Sequence, residues 1–378
     1  MLHIRMRKSM MTLCHKRLFS IRVLHNAPQK NIITNKDERQ ELMALWPNVV
    51  KDLTKFDGDL NIPEVTTRFS KLLQYNIPNG KMGRGISLIN AYKELVPVEQ
   101  LTDENIRLAR ILGWCCEIMH GYTLLEDDIM DRSLTRRGQP CWYLQDNVGL
   151  SAINDGQLLE QMIFKLLHMH FREKSYYLDL LETFHKIIYK ILIGQSLDLL
   201  STNCGKKRNF NFFTMDHYNT IVKYKSGYST FLPSVMLAMN VAEIKDDEMF
   251  REAKNVLCEI GIFYQVQDDY LDCYGDQDIT GKVGTDIQEG KCNWLIVSAL
   301  ERVTPEQRKI LEECYGENDG EKSARVKELY HELKLQTIYN DYEEKKYNLI
   351  INQIKQKSPQ LLQNLLLTIL NSIYRRNK

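Results

Sequence analysis

Apolar residues along most of this chain recur at spacings of three and four. Leu108, Ile111, Cys115, Ile118 and Tyr122 form one such stripe, and Val256, Ile260, Phe263, Tyr264 and Leu271 form another. That period places the apolar positions on one side of an α-helix. The same pattern covers about 39–55, 62–76, 158–171, 176–200, 215–241, 323–333 and 344–374. Alternating apolar and polar runs joined by hairpin turns, the signature of strands, are missing. Nine prolines and nineteen glycines gather in predicted loops at 77–85, 138–140, 275–290 and 315–320. No fixed-period repeat or low-complexity tract interrupts the pattern. Helices of this length must bury their stripes against one another. The chain from about residue 37 to 378 therefore reads as a single all-α domain, most simply a large bundle.

The composition, 43% hydrophobic and 26% charged, excludes a mainly disordered or collagen-like chain. No run of about 18 apolar residues exists, so no transmembrane helix is expected. A net charge of +1 gives no general attraction to nucleic acid. The charge is unevenly spread, however. Residues 1–36 hold eight of the 50 Lys and Arg and none of the 49 Asp and Glu, leaving the remainder at −7. An acid-free, Arg-bearing start with interspersed Leu, Ile, Met and Phe reads as a mitochondrial transit peptide, or else as a disordered basic tail. Starts at Met6, Met10 or Met11 would shorten it and leave product in the cytoplasm. The nine cysteines include no C-x-x-C pair. Their odd number and spacing fit free intracellular thiols better than a zinc site or a disulfide framework.

Two acidic motifs carry the chemistry. Asp127-Asp128-Ile-Met-Asp131 and Asp268-Asp269-Tyr-Leu-Asp272 both read D-D-x-x-D, 141 residues apart, and both continue helical stripes. Residues four apart share a helix face, so Asp127 lies beside Asp131 and Asp268 beside Asp272. Like charges so placed destabilise a helix by roughly 0.2–0.5 kcal/mol per pair. A hard divalent cation between them turns that cost into binding, and Mg²⁺ favours one or two carboxylates plus water and phosphate oxygens. Two such clusters on facing helices would grip one diphosphate through several metals; the alternative is a pair of solvated acidic faces. Basic residues surround the motifs: Lys81 and Arg84, Arg136 and Arg137, Lys225, Lys282 and Lys291, and Arg375, Arg376 and Lys378 at the end. Guanidinium groups bind phosphate through paired hydrogen bonds and ammonium groups as point charges.

From about residue 45 to the C-terminus the sequence resembles the trans-prenyl diphosphate synthase family, of the farnesyl and geranyl type. The blocks that carry the resemblance are EDDIMDRSLTRRGQPCWY at 126–143 and QVQDDYLDCYGD at 265–276, with GKVGTDIQ at 281–288 and KCNW at 291–294. The resemblance implies a large helical bundle around a deep central cavity, usually a homodimer, acting on an allylic diphosphate and isopentenyl diphosphate. It implies Mg²⁺, three ions per site, with Mn²⁺ or Co²⁺ able to substitute. By position, Asp127, Asp131, Asp268 and Asp272 form the metal set, Asp272 in a supporting role with Asp128 and Asp269. These six and Lys225 make up the catalytic set. Arg136, Lys225, Ser226, Gln265, Lys282 and Lys291 would bind the allylic diphosphate, and Lys81, Arg84, His120 and Arg137 the isopentenyl diphosphate. His120 stands where Gln is usual. The implied reaction ionises the allylic C–O bond in a dry, apolar cavity, and the double bond of isopentenyl diphosphate attacks the cation.

Departures from the family pattern cluster at the hydrocarbon pocket. Tyr122 and Thr123 stand where two bulky aromatics are usual in farnesyl diphosphate producers. Thr123 is one turn, about 5.4 Å, below Asp127, at the floor expected to limit product length. Glu126 replaces a small residue and is either a solvated neighbour or an extra metal-side carboxylate. Lys190-Ile191-Leu192 replaces Gln-Thr-Glu, so Ile191 makes the wall more apolar. The segment Lys225 to Pro233 is one residue short, which should rotate or kink the helix wall. These features leave three readings. The first is a condensing short-chain prenyltransferase. The second is a terpene synthase derived from one, releasing a hydrocarbon or alcohol and diphosphate. The third is a non-catalytic subunit that modulates a partner. The retained Lys81, Arg84 and Arg137 favour the first.

Overall fold

The computed structural model describes residues 35–55, 62–202, 209–276 and 284–376, most of which lie in fifteen helices. They run α1 (Asn35–Thr54), α2 (Pro63–Asn76), α3 (Gly83–Leu95), α4 (Asp103–Asp131), α5 (Ala152–Phe171), α6 (Tyr177–Thr202), α7 (Met215–Val222), α8 (Leu232–Val241) and α9 (Asp247–Tyr274). After the single turn α10 (Asp286–Glu289) come α11 (Trp294–Leu300), α12 (Pro305–Cys314), α13 (Gly320–Glu332), α14 (Leu335–Lys357) and α15 (Gln360–Ile373). By its internal contacts the chain separates into Met1–Asp37 and Glu38–Lys378, and the core described here belongs to the second. Among the described residues the only strands are the two-residue pair β1 (Thr135–Arg136) and β2 (Gln139–Pro140). No described helix is long and apolar enough to cross a membrane.

The two longest helices, α4 and α9, carry the acidic motifs at their C-terminal ends. Thr102 starts α4 by accepting the Asn105 amide, with Asp103 and Glu104 at the positive end of the helix dipole. Asp246 starts α9 by accepting the amides of Glu248 and Met249. Between Leu108 and Leu125, α4 is buried on nearly every side, packed by α3, α5 and α8. A helix so enclosed cannot slide, which fixes the motif at its end. Arg132, in the left-handed region at φ 57°, stops α4 just after Asp131.

The predicted stripe at 215–241 is not one helix. It breaks into α7, a π-turn at Lys223–Gly227, a short turn and α8, with Pro233 in the first turn of α8. The break has a packing cause. A Cβ on Gly194 of α6 would sit 2.2 Å from the Lys225 backbone nitrogen, and one on Gly261 of α9 would sit 2.7 Å from the Gly227 Cα. The π-turn is thus wedged between α6 and α9 at distances only glycine allows. Two further expectations are corrected. The stripe at 344–374 splits at Ser358-Pro359, because proline cannot donate to a continuing helix. The loop at 77–85 ends early, since α3 begins at Gly83.

Candidate active site

Asp127 and Asp131 occupy the last turns of α4, on one face. Asp127 Oδ1 accepts from Lys225 Nζ at 2.9 Å and from Gln195 Nε2 at 3.1 Å. Lys225 also donates to Asp198 Oδ2 at 2.6 Å. Lys291 pairs with Asp131 and lies 3.6 Å from the same Asp198 oxygen. Three carboxylates and two ammonium groups, from α4, α6, the π-turn and the segment before α11, therefore form one continuous ionic chain. Burial alone would raise Asp127, but Lys225 and Lys291 overcome it and hold its carboxyl well below the usual range. Burial and the Asp127 charge push Asp131 up to about 6. Burial would lower Lys225, but Asp198, Asp127 and Asp131 raise it above an ordinary lysine. The geometry thus keeps both ammonium groups charged at a site stripped of most of its water.

Asp128 faces the other way and takes the Arg136 guanidinium, whose Nε lies 3.0 Å from Oδ1. A two-residue hairpin delivers Arg136 there. Arg137 and Gly138 form its tip with φ of 55° and 74°. Two positive φ angles in a two-residue loop make the tight turn whose twist matches paired strands. The tip carries Arg137 across to the end of α2, where its Nη1 donates to the Asn76 carbonyl at 2.9 Å.

In the second motif, Asp269 is buried and fully engaged. Its Oδ2 accepts the Tyr218 hydroxyl at 2.6 Å and the Trp294 amide at 2.9 Å, and its Oδ1 accepts Gln265 Nε2 at 2.9 Å. Gln265 in turn accepts the Ser226 hydroxyl at 2.6 Å. Since Ser226 follows Lys225, the π-turn joins the two motifs. Asp272 accepts the Asp286 amide at 3.1 Å, and a Cβ on Gly284 would collide with the Asp272 carbonyl at 1.7 Å. Asp268 lies 3.4 Å from Arg376 Nη2, and the Arg376 guanidinium stacks 3.8 Å over the Tyr264 ring.

A second cationic group gathers beside the first motif. Arg84 opens α3 and donates to the Ser229 carbonyl at 2.7 Å, in the turn after the π-turn. Burial lowers its pKa, and the buried Glu117 carboxylate opposes that effect. Glu117 accepts the Gly85 amide at 2.8 Å, which caps an α3 terminus that has no side-chain cap of its own. His120 is held far below its ordinary pKa by burial, then by Arg84, Arg137 and Arg136. A neutral imidazole among three guanidinium groups keeps a donor for an incoming anion without adding repulsion. Lys81 stands exposed two residues before α3. Lys282 lies outside the described residues.

The pocket positions are also placed. Tyr122 and Ile191 are buried in the larger apolar core, and the Thr123 hydroxyl turns back to the His120 carbonyl at 2.9 Å. Glu126 is half-buried, its carboxylate against Gly156 of α5, with burial and then Glu160 raising its pKa. Sequence reasoning missed Gln195, Asp198, Tyr218 and Glu117. For Gln195 and Asp198 a signal existed, since polar residues three apart interrupt the apolar stripe of α6. Glu117 stood as a lone acid inside the most apolar part of α4.

The polyprenyl synthetase family profile matches residues 66–333. The chain is 46% identical over 343 residues to a farnesyl pyrophosphate synthase of Murgantia histrionica, covering 91% of this chain and 83% of that one. The chain belongs to the polyprenyl synthetase family. A Gallus gallus farnesyl pyrophosphate synthase is 44% identical, covering 90% of this chain and 93% of the relative. Among solved structures, T. brucei farnesyl diphosphate synthase complexed with risedronate superposes with a TM-score of 0.82 at 31% identity, covering 90% of this chain and 99% of that one. The fold is thus the isoprenoid synthase bundle, and this member of the family is a prenyltransferase.

Proposed function

We propose that the protein condenses an allylic diphosphate with isopentenyl diphosphate to give a short-chain trans-prenyl diphosphate of the farnesyl or geranyl type. The observation that carries this reading is the juxtaposition of two different anion-binding arrangements. One is the carboxylate–ammonium chain of Asp127, Lys225, Asp198, Lys291 and Asp131. The other is the guanidinium–imidazole group of Arg84, Arg137 and His120. A single diphosphate needs only the first. The second suits a second diphosphate that is held but not ionised.

The residues present fit Mg²⁺, which this family uses. Asp127 and Asp131 of the first motif offer hard carboxylate oxygens on one face, as the ion requires. Asp127, Asp131, Asp268 and Asp272 are the proposed metal-holding set by their place at i and i+4 in the two motifs, each giving up a protein partner to the ion. Three ions, replaceable by Mn²⁺ or Co²⁺, suit this donor set. Bound metal supplies charge neutralisation of the leaving diphosphate. Lys225, Lys291 and Arg136 orient the same group, with Ser226 and Gln265 holding the π-turn in place. Buried Tyr122, Ile191 and their neighbours exclude water from the cation. Exposed apolar side chains on α5 and α6, among them Ile153, Leu178, Tyr189 and Leu200, support a homodimer. The acid-free segment 1–36 supports a mitochondrial location, or a cytoplasmic one from an internal start. Nearly all of that segment lies outside the described residues.

The two-subsite reading is tested with Arg84→Ala. A hydrogen bond to a charged group is worth about 1.5–3 kcal/mol, so KM for isopentenyl diphosphate should rise roughly 10- to 100-fold. KM for the allylic substrate should stay within about twofold of wild type. Equal rises in both constants would merge the two subsites and overturn the reading.

A further inference from the structure

Asp198 is the carboxylate outside both acidic motifs that faces both lysines; Glu289 lies 4.0 Å from Lys291 alone. It projects from α6 and is 6% exposed. Its Oδ2 receives Lys225 at 2.6 Å and approaches Lys291 at 3.6 Å. Each lysine has a second counter-charge on α4: Asp127 for Lys225, at 2.9 Å, and Asp131 for Lys291. The two lysines therefore sit on the carboxylates that the proposed function assigns to metal. A cation that takes the oxygens they hold, Asp127 Oδ1 and Asp131 Oδ2, displaces both ammonium groups. Leaving a buried ammonium without a counter-charge is costly, so withdrawal needs a destination.

We propose that Asp198 is that destination: a positioning residue to which Lys225 and Lys291 retreat when divalent cations take Asp127 and Asp131. The geometry suits the role. Lys225 already touches Asp198, so it gives up only one of two partners. Lys291 already lies 3.6 Å from the same oxygen, so only a small shift of its flexible stem completes the hydrogen bond. Gln195, one turn earlier on α6, donates to Asp127 at 3.1 Å and stays behind when the lysine leaves. The retreat also leaves both ammonium groups at the margin of the metal site, where a diphosphate bridged to the metals would meet them. The inference rests on the metal-clamp reading of the first motif.

The test measures metal uptake, not turnover. Mn²⁺ is titrated into the full chain with inorganic diphosphate at fixed concentration, and free Mn²⁺ is followed by its electron paramagnetic resonance signal. Asp198→Asn keeps the shape and removes the charge, so Lys225 loses its alternative partner, Lys291 keeps only the more distant Glu289 at 4.0 Å, and both compete harder for Asp127 and Asp131. The midpoint should move to about tenfold higher Mn²⁺, the factor one charge-assisted hydrogen bond is worth. Asp198→Glu restores a carboxylate and should return the midpoint to within about threefold of wild type, which separates charge from general damage to the fold. Wild-type affinity in Asp198→Asn, or tighter binding, overturns the inference while leaving the clamp intact. No Mn²⁺ uptake by the wild-type chain overturns the clamp reading itself, and this inference with it.

Discussion

Single side chains at this site divide into those spent on protein partners and those held ready. Asp128 and Asp269 look identical to their neighbours in sequence, yet one anchors Arg136 and the other ties together Tyr218, Trp294 and Gln265. Asp127 and Asp131 are held by Gln195 and two lysines, with Arg136 3.8 Å from Asp127 Oδ2. Replacing Asp127 with Ala should therefore lower turnover by roughly 10²- to 10³-fold, the scale of losing one preorganised charged group at a reacting centre. Far-ultraviolet circular dichroism should be unchanged, because Asp127 lies in the last turns of α4, away from its core contacts. Retained turnover would remove Asp127 from the metal-holding set. The D-D-x-x-D spacing made these residues legible in the sequence, because a period of 3.6 converts spacing into a shared face. Asp198 was not legible in the same way. Its role depends on two lysines that lie 27 and 93 positions away along the chain, and no local pattern reports that.

At the level of elements, the π-turn at Lys223–Gly227 is the joint on which the site depends. It places Lys225 on the first motif and Ser226 on the chain leading to the second. A shortened segment predicts a kink; the form of the kink is set by Gly194 and Gly261, which belong to other helices and approach the turn from both sides. Changing Gly194 to Ala puts a methyl group 2.2 Å from the Lys225 backbone nitrogen, which cannot be accommodated without moving the turn. Overpacking of this kind costs about 1–3 kcal/mol. A thermal melt should show that loss of stability, and turnover should fall at the same time because Lys225 moves with its backbone. An unaltered melting temperature with full activity would mean the turn is not clamped. The long helices α4 and α9 were legible from periodicity, and their ends from the acidic motifs. The break at Ser358-Pro359 was masked by apolar residues that continue on both sides, since periodicity alone does not register where one helix stops and another resumes in phase.

Across the molecule, the two motifs sit at the C-terminal ends of two buried helices, both of which pack in the larger apolar cluster over much of their length. One apolar cluster surrounds α4, and a second surrounds α11 and the end of α9. The all-α class followed from the sequence because no alternating strand pattern competes with the helical one. How the apolar faces of α5 and α6 are used did not follow, since a stripe that packs a dimer has the same period as one that packs a core. Leu178 and Leu200 are 64% and 73% exposed in the single chain. Sedimentation equilibrium should give about twice the chain mass of 44.4 kDa, and a monomer at micromolar concentration would assign those faces to something else.

In the proposed reaction an allylic diphosphate is ionised beside an isopentenyl diphosphate that captures the cation. The direct measurement supplies the full chain with Mg²⁺, geranyl diphosphate and isotopically labelled isopentenyl diphosphate, and collects both prenyl diphosphates and volatiles. Label in a longer prenyl diphosphate, lost on chelation of the metal, is the predicted result. Unlabelled hydrocarbon or alcohol released from the allylic diphosphate, with no label incorporated, would contradict it and make Arg84, Arg137 and His120 a remnant without a substrate.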